Sequence, residues 1–361
     1  MWDSGGKRLF NCLLVILVVV VLQIVFLKRL IDTELNRPIL MKPGRGIVQE
    51  VNGTLIWLPS KGHMGMHITP IRDLGKDKSS VLLLVIVSSA PLRWARREAV
   101  RKTWWRHCKG EKVACSFFTD VRIPDKEIQQ RLLTEKETYR DIKFQPLSGG
   151  LEFGLRFLYQ AMWASATYDF QYFLRVDDDY FVCLKKLLNE LRFRPKQNLC
   201  WGHFHCPDNL VSWMDESWMV YSHDIIRSFL AQDARTMLCH PHADQQIAIW
   251  LSNNSNRIFF HDSRLNHRRR DSLDVQAGNV CDHYLGVHKA YASQMLMLGK
   301  DSGDGAKDVP PVANFSAYCP VKSFDYKYFN SSTYFYEPKP CIENFEWVVH
   351  NRIWYGDEGK L

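Results

Sequence analysis

Apolar and polar positions along the middle of the chain follow two alternating patterns. Residues 81–87 read Val-Leu-Leu-Leu-Val-Ile-Val, a continuous apolar run that is typical of a strand buried on both faces. Residues 93–105 then have the spacing of a helix. The alternation continues downstream, with strand patterns at 114–119 and 170–176 and helical patterns at 126–139, 151–166 and 184–192. This order predicts an α/β domain with a mostly parallel central sheet.

The pattern weakens towards the C-terminus. Two short helical patterns, at 224–230 and 243–251, come before residue 300. Beyond it the sequence is aromatic, contains prolines and has little periodicity. Because this last stretch also carries two cysteines, we expect a C-terminal extension at 301–361 that disulfides tether to the main domain at 81–300.

The N-terminal region has the pattern of a membrane anchor. Residues 9–27 are nearly all apolar, about the length that crosses a bilayer, and basic pairs flank them. A cleaved signal peptide is the alternative, but the run is long and no small-x-small cleavage site follows closely. We therefore predict a transmembrane signal anchor at 9–27 after a cytosolic tail at 1–8. Scattered prolines and glycines predict a stem at 28–80.

Composition adds an expected compartment. Four N-x-S/T sequons follow the apolar run, and they favour a lumenal position for the bulk of the chain: Asn52, Asn253, Asn314 and Asn330. Ten cysteines are present, and Cys12 lies in the apolar run. The others should be largely bridged in an oxidising lumen, and their odd number leaves at least one unpaired. The net charge of +8 suits anionic sugars, nucleotides or lipid head groups without choosing among them.

The acidic triplet at residues 177–179 is the strongest chemical signal. It directly follows an apolar strand pattern, and the apolar pair Phe181-Val182 comes after it. Adjacent like charges repel, so a bound cation is the simplest reason to keep them at a strand end. Carboxylates bind hard ions such as Mg²⁺ and Mn²⁺, which also bind diphosphate oxygens. A solvated acidic turn is the alternative; we favour a metal–nucleotide site at the carboxyl edge of the sheet.

Three further groups each have two interpretations. Arg93, Arg97 and Arg101 share one helical face, which could contact phosphates or simply face solvent. The segment Cys200-x-x-His203-x-His205-Cys206 has zinc-type ligands, but its cramped spacing and the oxidising lumen argue against zinc. The basic run 267–270 could suggest nucleic acid, but no recognition fold accompanies it. A solvated loop or a contact with an anionic glycan is preferred there.

Taken in order, these motifs resemble those of the β-1,3-galactosyltransferase family, Golgi type II membrane enzymes with a GT-A fold. The matching segments are R-R-x-x-x-R-x-T-W at 96–104, E-x-Y-x-D-I at 137–142, F-L-R-V-D-D-D-Y-F-V at 173–182, M-V-Y-S at 219–222, H-A-D-Q-Q-I-A-I-W-L at 242–251 and Y-L-G-V-H-K at 284–289. Each is weak by itself, whereas their order and spacing together are strongly specific. Within the family, residues 200–204 and 281–289 look most like the proteoglycan linkage-region galactosyltransferase II.

The resemblance implies an inverting transfer of a hexose, most simply galactose from UDP-galactose, to a hydroxyl of a glycan on a glycoprotein, proteoglycan or glycolipid. A divalent cation would neutralise the charge on the departing UDP, and Mn²⁺ is expected with Mg²⁺ as the alternative. By family position, Asp179 and His288 would hold it. Asp244 would be the base that accepts the proton of the acceptor hydroxyl, and a helix N-cap is its alternative role. The implied donor-binding residues are Ser88, Arg97, Arg101, Arg156, Asp177 and Asp178.

The chain also departs from the family pattern. Arg156 stands where the family usually has Lys, residues 215–218 replace customary glycines, and Ala243 and Gln245 replace the usual Glu and Val. These departures leave the acceptor open and motivate a non-catalytic glycan-binding relative as the alternative. The donor could also be N-acetylglucosamine or N-acetylgalactosamine, because the contacts that distinguish these sugars lie in loops. We expect a single-pass type II protein of the Golgi membrane with its catalytic domain in the lumen. Oligomers with itself or with other glycosyltransferases stay open, and no nucleic-acid partner is expected.

Overall fold

The computed structural model describes the chain over residues 20–25, 39–41, 47–51, 54–58, 78–110, 112–120, 125–145, 153–233, 236–240, 242–267, 279–300, 302–303, 309–325, 337–341 and 347–349. Its contacts form two units: residues 1–42 with 346–357, and residues 43–345 with 358–361. The domain boundaries expected at 81 and 300 stay predictions.

In the first unit, strand β1 (Ile39–Met41) pairs antiparallel with β16 (Trp347–Val349). Of the predicted anchor, residues 20–25 are described, and they are helical (α1). None of the helices in the described part of the chain has the length and apolar character needed to cross a membrane. The rest of 9–27, most of the stem and the sequons at Asn52 and Asn330 lie outside the described residues.

The second unit is built on a seven-stranded sheet. Its strands, in spatial order, are β12 (Ile258–His261), β9 (Leu199–His205), β10 (Trp213–Ser222), β7 (Tyr168–Asp177), β4 (Ser79–Ser88), β5 (Val113–Asp120) and β6 (Ile142–Gln145). β10 is antiparallel to both its neighbours, and the remaining pairs in this sheet are parallel. The predicted mostly parallel sheet is confirmed. The reversed β10 was not predicted.

The apolar run 81–87 lies in β4 and explains how the sheet is sandwiched. Leu83, Val85 and Val87 belong to one hydrophobic cluster, while Leu84 and Ile86 belong to another. All five are fully buried, so successive side chains fill cores on opposite faces of the sheet. Each such side chain contributes about 1.5–3 kcal/mol of burial free energy.

Helices cover both faces. Their bounds are α2 Trp94–Lys102, α3 Lys126–Tyr139, α4 Phe153–Thr167, α5 Leu184–Leu191, α6 His223–Leu230, α7 Ala243–Ser252, α8 Val280–His283, α9 Ala292–Lys300 and α10 Phe315–Tyr318, with 3-10 turns at Trp104–Cys108 and Pro207–Asn209. Helix α7 packs against β10, and α2 packs against α9. The second unit also contains a small three-stranded sheet and two two-stranded pairs, β2 (Ile47–Val51) with β3 (Thr54–Leu58) and β11 (Leu238–Cys239) with β15 (Lys339–Pro340).

The three-stranded sheet lies beside the acidic triplet. It consists of β8 (Phe181–Val182), β14 (Gly286–Val287) and β13 (Leu265–Asn266). Because β8 begins two residues after the triplet, the chain segments that follow β13 and β14 are carried to the same place. His267 and His288 are the first residues of those segments.

Disulfides fix the outer segments, as the cysteine content predicted. The bridges are Cys108–Cys115, Cys183–Cys281, Cys206–Cys319 and Cys239–Cys341. Among the described cysteines, Cys200 alone is unpaired, and it is fully buried in the core. The two cysteines of segment 200–206 are therefore not available as zinc ligands, because Cys206 is in a disulfide and Cys200 is buried in the core.

Candidate active site

The acidic triplet forms a turn at the carboxyl edge of the sheet. β4 and β7 end side by side, with Ser88 paired to Asp177. The amide of Asp178 donates to the Ser88 carbonyl at 3.2 Å. The Asp178 side chain is fully buried and accepts from the Ser89 hydroxyl at 2.6 Å. Asp178 therefore holds the turn in place, while its two neighbours project from the turn.

Arg96 supports this turn from helix α2. Its Nη1 lies 3.3 Å from Asp178 Oδ1 and 3.5 Å from Asp179 Oδ2. The helical-face interpretation grouped Arg93, Arg97 and Arg101, so Arg96 was missed as a partner of the triplet. The signal that could have found it is its place one residue before Arg97, which turns it by about 100° around the helix.

Asp177, Asp179 and His288 offer ligand atoms that all lie within 4.8 Å of one another. His288 Nε2 is 3.6 Å from Asp179 Oδ1, and Arg175 pairs with Asp177 at 2.8 Å. Within the described residues, Asp179 Oδ1 is buried without a hydrogen-bond partner. Two carboxylates, a neighbouring imidazole and an unsatisfied buried oxygen fit a divalent cation.

Burial sets the protonation of this cluster. Burial, with the charge of Asp179 adding to it, raises the pKa of Asp177 to about 6. Burial and then the charge of Asp178 raise the pKa of Asp179 to about 6. Burial lowers the pKa of His288 to about 4. The imidazole is therefore neutral at pH 7 and can offer a lone pair to a cation. Its ring stacks on Tyr180, with centroids 5.4 Å apart, which fixes its orientation.

Asp244 lies in the first turn of α7. It accepts hydrogen bonds from the Trp213 indole N–H and from the Gln245 amide, both at 2.8 Å. Burial, followed by the negative charge of Asp215, raises its pKa to about 6. The N-cap residue of α7 is His242, and its side chain makes no capping hydrogen bond. Asp244 is thus a partly buried carboxylate that two donors orient, and it lies inside the helix rather than at its N-cap.

Strand β10 links Asp244 to the triplet. Trp213, at its start, holds Asp244, and the carbonyl of Glu216 accepts a hydrogen bond from Arg175 on β7. Burial and then the charge of Asp244 raise the pKa of Glu216 well above its usual range, and the charge of Asp177 adds to this effect. The negative charges of Asp244 and Asp177 therefore both raise the pKa of the same side chain, Glu216 of β10. Sequence reasoning singled out Glu216 as a departure from the family pattern and gave it no role.

Two of the predicted donor-binding arginines, Arg97 and Arg101, form ion pairs with carboxylates of the protein itself. Arg97 is fully buried and its guanidinium forms two bonds with Glu135, at 2.9 and 2.7 Å. Arg101 binds the same Glu135 at 2.7 Å and Asp141 through two bonds of 2.8 Å. These groups tie α2 to α3 and to the loop before β6. Their donor-binding role stays a prediction.

Ser88 ends β4, and Arg156 of α4 contacts the end of the neighbouring strand β5. Arg156 on α4 bonds Asp120, the last residue of β5, at 3.0 and 2.6 Å. The Ser88 hydroxyl accepts from Gln160 at 3.1 Å. Both residues border the carboxyl edge where the triplet lies, and their predicted contact with a donor is likewise untested.

Comparisons with known proteins find similarity to glycosyltransferases. The family model described as Galactosyltransferase matches residues 95–230. Lactosylceramide 1,3-N-acetyl-beta-D-glucosaminyltransferase of Mus musculus is 31% identical over 121 residues, which cover 31% of this chain and 32% of that protein. Its counterpart A of Danio rerio is 33% identical over 148 residues, 37% of this chain and 38% of that one. Beta-1,3-galactosyltransferase 6 of Mus musculus is 24% identical over 246 residues, 61% of this chain and 73% of that protein.

The first two of these relatives are thus matched over roughly a third of their own length. Among solved structures, the galactosyltransferase LgtC in complex with donor and acceptor sugar analogues matches with 11% identity and a TM-score of 0.36, covering 60% of this chain and 95% of that one. Mannosyltransferase PcManGT from Pyrobaculum calidifontis, in complex with GDP-Man and Mn²⁺, has 11% identity and a TM-score of 0.32, covering 50% and 54%.

Proposed function

We propose that this chain, which belongs to the β-1,3-glycosyltransferase family, transfers a hexose, in the first place galactose, from a UDP-sugar to a glycan hydroxyl with inversion. One observation carries the proposal. The Asp177, Asp179 and His288 cluster lies at the carboxyl edge of the sheet, and β10 joins it to the partly buried carboxylate of Asp244. A GT-A-type site needs these two parts, one for the departing diphosphate and one for the attacking hydroxyl.

At the donor end, Asp179 and His288 would hold Mn²⁺, or Mg²⁺ as the alternative, with Asp177 beside them. The cation supplies stabilisation of the negative charge on the departing diphosphate. Asp178 keeps the turn in place through Ser89 and Arg96, and so fixes where the two outer carboxylates point.

At the acceptor end, Asp244 would take the proton of the attacking hydroxyl. Its raised pKa of about 6 leaves it ionised at neutral pH while making it a stronger base than an exposed carboxylate. The Trp213 and Gln245 donors bind one oxygen each, which fixes the plane of the carboxylate. The carboxylate is therefore held on the rigid start of α7.

The donor sugar is the finer part of the proposal. Galactose is preferred because Beta-1,3-galactosyltransferase 6 is matched over 73% of its length. N-acetylglucosamine is the alternative that the lactosylceramide relatives suggest.

The experiment that tests the proposal is a UDP-release screen with the full-length chain. UDP-galactose, UDP-N-acetylglucosamine and UDP-N-acetylgalactosamine are offered with xylose- and galactose-terminated acceptors, with and without Mn²⁺. We expect Mn²⁺-dependent release with UDP-galactose that Asp179→Ala abolishes while near-UV circular dichroism stays unchanged. Full activity in that variant would overturn the metal role. Acceptor binding without release from any donor would overturn the enzymatic proposal in favour of a glycan-binding relative.

We also propose a lumenal position in the Golgi, with the chain anchored by residues 9–27. In support, the sequon residues Asn253 and Asn314 are both exposed. Peptide N-glycosidase F should therefore shift the electrophoretic mobility of the chain made in animal cells. The shift should shrink in Asn253→Gln, and a chain without glycan at either residue would contradict this topology.

A further inference from the structure

Three side chains from three separate elements converge beside the proposed active site. His205 is the last residue of β9, Asp215 is near the start of β10, and His267 directly follows β13. Asp215 Oδ2 lies 2.9 Å from His205 Nε2 and 3.0 Å from His267 Nε2. The three ligand atoms are all within 4.8 Å of one another.

We propose that His205, Asp215 and His267 bind a Zn²⁺ ion at a site distinct from the Asp177, Asp179 and His288 cluster. Two imidazoles and one carboxylate form the ligand set of zinc sites that keep a fourth position open. Imidazole nitrogen also distinguishes this set from the oxygen-rich cluster, which suits harder ions.

The geometry needs little change to accept the ion. Zinc bonds of about 2.0–2.1 Å at tetrahedral angles place neighbouring ligand atoms about 3.3 Å apart. The observed separations from Asp215 Oδ2, 2.9 and 3.0 Å, are a few tenths of an ångström shorter. Small rotations of the three side chains would therefore open the space.

The ligands are held in position by their surroundings. The other oxygen of Asp215, Oδ1, accepts from the Ser217 amide at 2.9 Å and from the Ser217 hydroxyl, so Oδ2 stays turned to the histidines. The His267 ring is sandwiched between His203 and His288, with centroids 4.6 and 4.5 Å away. Such orientation of ligands by neighbouring groups is characteristic of metal sites.

The cluster is also accessible to an ion from solvent. The His205 side chain is 32% exposed and that of His267 is 19% exposed. An ion can thus enter and keep a water molecule at its open position. The cysteines of segment 200–206 take no part, because Cys206 is bridged to Cys319 and Cys200 is buried. Asp215, by contrast, comes from the stretch where this chain departs from its family.

Calorimetry on the full-length chain tests the site without any donor or acceptor, so the result is independent of the proposed transfer. After dialysis against a chelator, the protein is titrated with Zn²⁺. We expect wild type and Asp179→Ala to share a tight zinc site, which weakens at least about 100-fold in His205→Gln and in His267→Gln. Ser217→Ala, which removes only a positioning hydroxyl, should weaken it about 10-fold. His223→Gln, an imidazole loss in α6, is the matched control.

Co²⁺ gives a second readout that does not depend on affinity. Bound at a four-coordinate histidine site, it should give intense visible absorption that His267→Gln removes and Asp179→Ala preserves. Near-UV circular dichroism separates loss of a ligand from loss of the fold. The proposal is overturned if Asp179→Ala removes all zinc binding, or if a correctly folded His205→Gln binds zinc as wild type does. In that case the three side chains form only a hydrogen-bonded network.

Discussion

Replacing Arg97 decides between two roles for the arginines of α2. The resemblance assigns Arg97 to the donor, whereas the structure buries it completely and directs its guanidinium to protein acceptors. These are Glu135 through two bonds, the Ser89 hydroxyl at 2.9 Å, the Ala90 carbonyl at 2.7 Å and the Pro91 carbonyl at 3.1 Å. Arg97 thus has a structural role: it fixes the loop between β4 and α2 against α3.

The loss of folding stability in Arg97→Gln depends on the buried charge of Glu135 that the substitution leaves with one partner fewer. Removing one partner of a buried ion pair costs about 3–5 kcal/mol because the other charge stays buried. Arg101 continues to bind Glu135 at 2.7 Å, so we expect the lower end, about 3 kcal/mol. For a domain of this size each kcal/mol lowers Tm by about 2–4 °C, which gives a decrease of about 6–12 °C.

Differential scanning calorimetry measures this change, and Lys102→Gln on the same helix is the control. Lys102 is 60% exposed and pairs with Glu98 at 3.0 Å, so its loss should cost less than about 1 kcal/mol. UDP-sugar affinity is measured on both variants below their Tm. A wild-type Tm in Arg97→Gln, together with weakened donor binding, would refute the structural role of Arg97 and favour the donor-binding role that the family motif implies.

Three further predictions address the site and its frame. Asp244→Asn should leave UDP binding unchanged and reduce single-turnover transfer by about 10²–10⁴-fold, since the amide cannot accept the proton; unchanged transfer would place the base elsewhere. The affinity for Mn²⁺ should fall as the pH drops below about 6, because protonation of Asp179, whose pKa is raised to about 6, competes with the ion; calorimetry from pH 5 to 8 that found no change would contradict this. Gly202→Ala should lower stability by about 1–3 kcal/mol in urea unfolding, because its Cβ would lie 2.8 Å from the Trp218 carbonyl oxygen, and Gly110→Ala, where no atom lies within 4 Å of the added Cβ, is the control.

The sequence predicted β4, β5 and β7 because these strands are mostly apolar, and it did not predict β6, β9 and β12. β4 is buried on both faces and carries a continuous apolar run, whereas Gln171 and Arg175 interrupt the apolar positions of β7. β10 was missed because its first half holds Asp215, Glu216 and Ser217, which are unusual in a strand between two others. Its reversed direction depends on contacts with β7 and β9, which no local pattern encodes.

The site was predicted in outline and not in its details. The sequence located the triplet at a strand end, but it could not tell that Asp178 faces the protein interior while Asp179 faces His288. That difference arises from the turn, where Asp178 is drawn in by Ser89 and Arg96. Likewise the period of α2 identified a basic face correctly, but the partner of that face, Glu135, lies on another helix.

The direction of β10 is the physical reason why so many acids meet at one edge. Parallel strands bring only their carboxyl ends there, whereas the reversed strand brings its amino end. Carboxylates from both kinds of strand, and from α7, are thereby gathered: Asp177, Asp178, Asp179, Asp215, Glu216 and Asp244. In the described chain, Arg93, Arg96 and Arg175 pair with the triplet. Burial and neighbouring carboxylates nevertheless raise the pKa values of Asp177, Asp179, Glu216 and Asp244, and bound cations would relieve this negative charge.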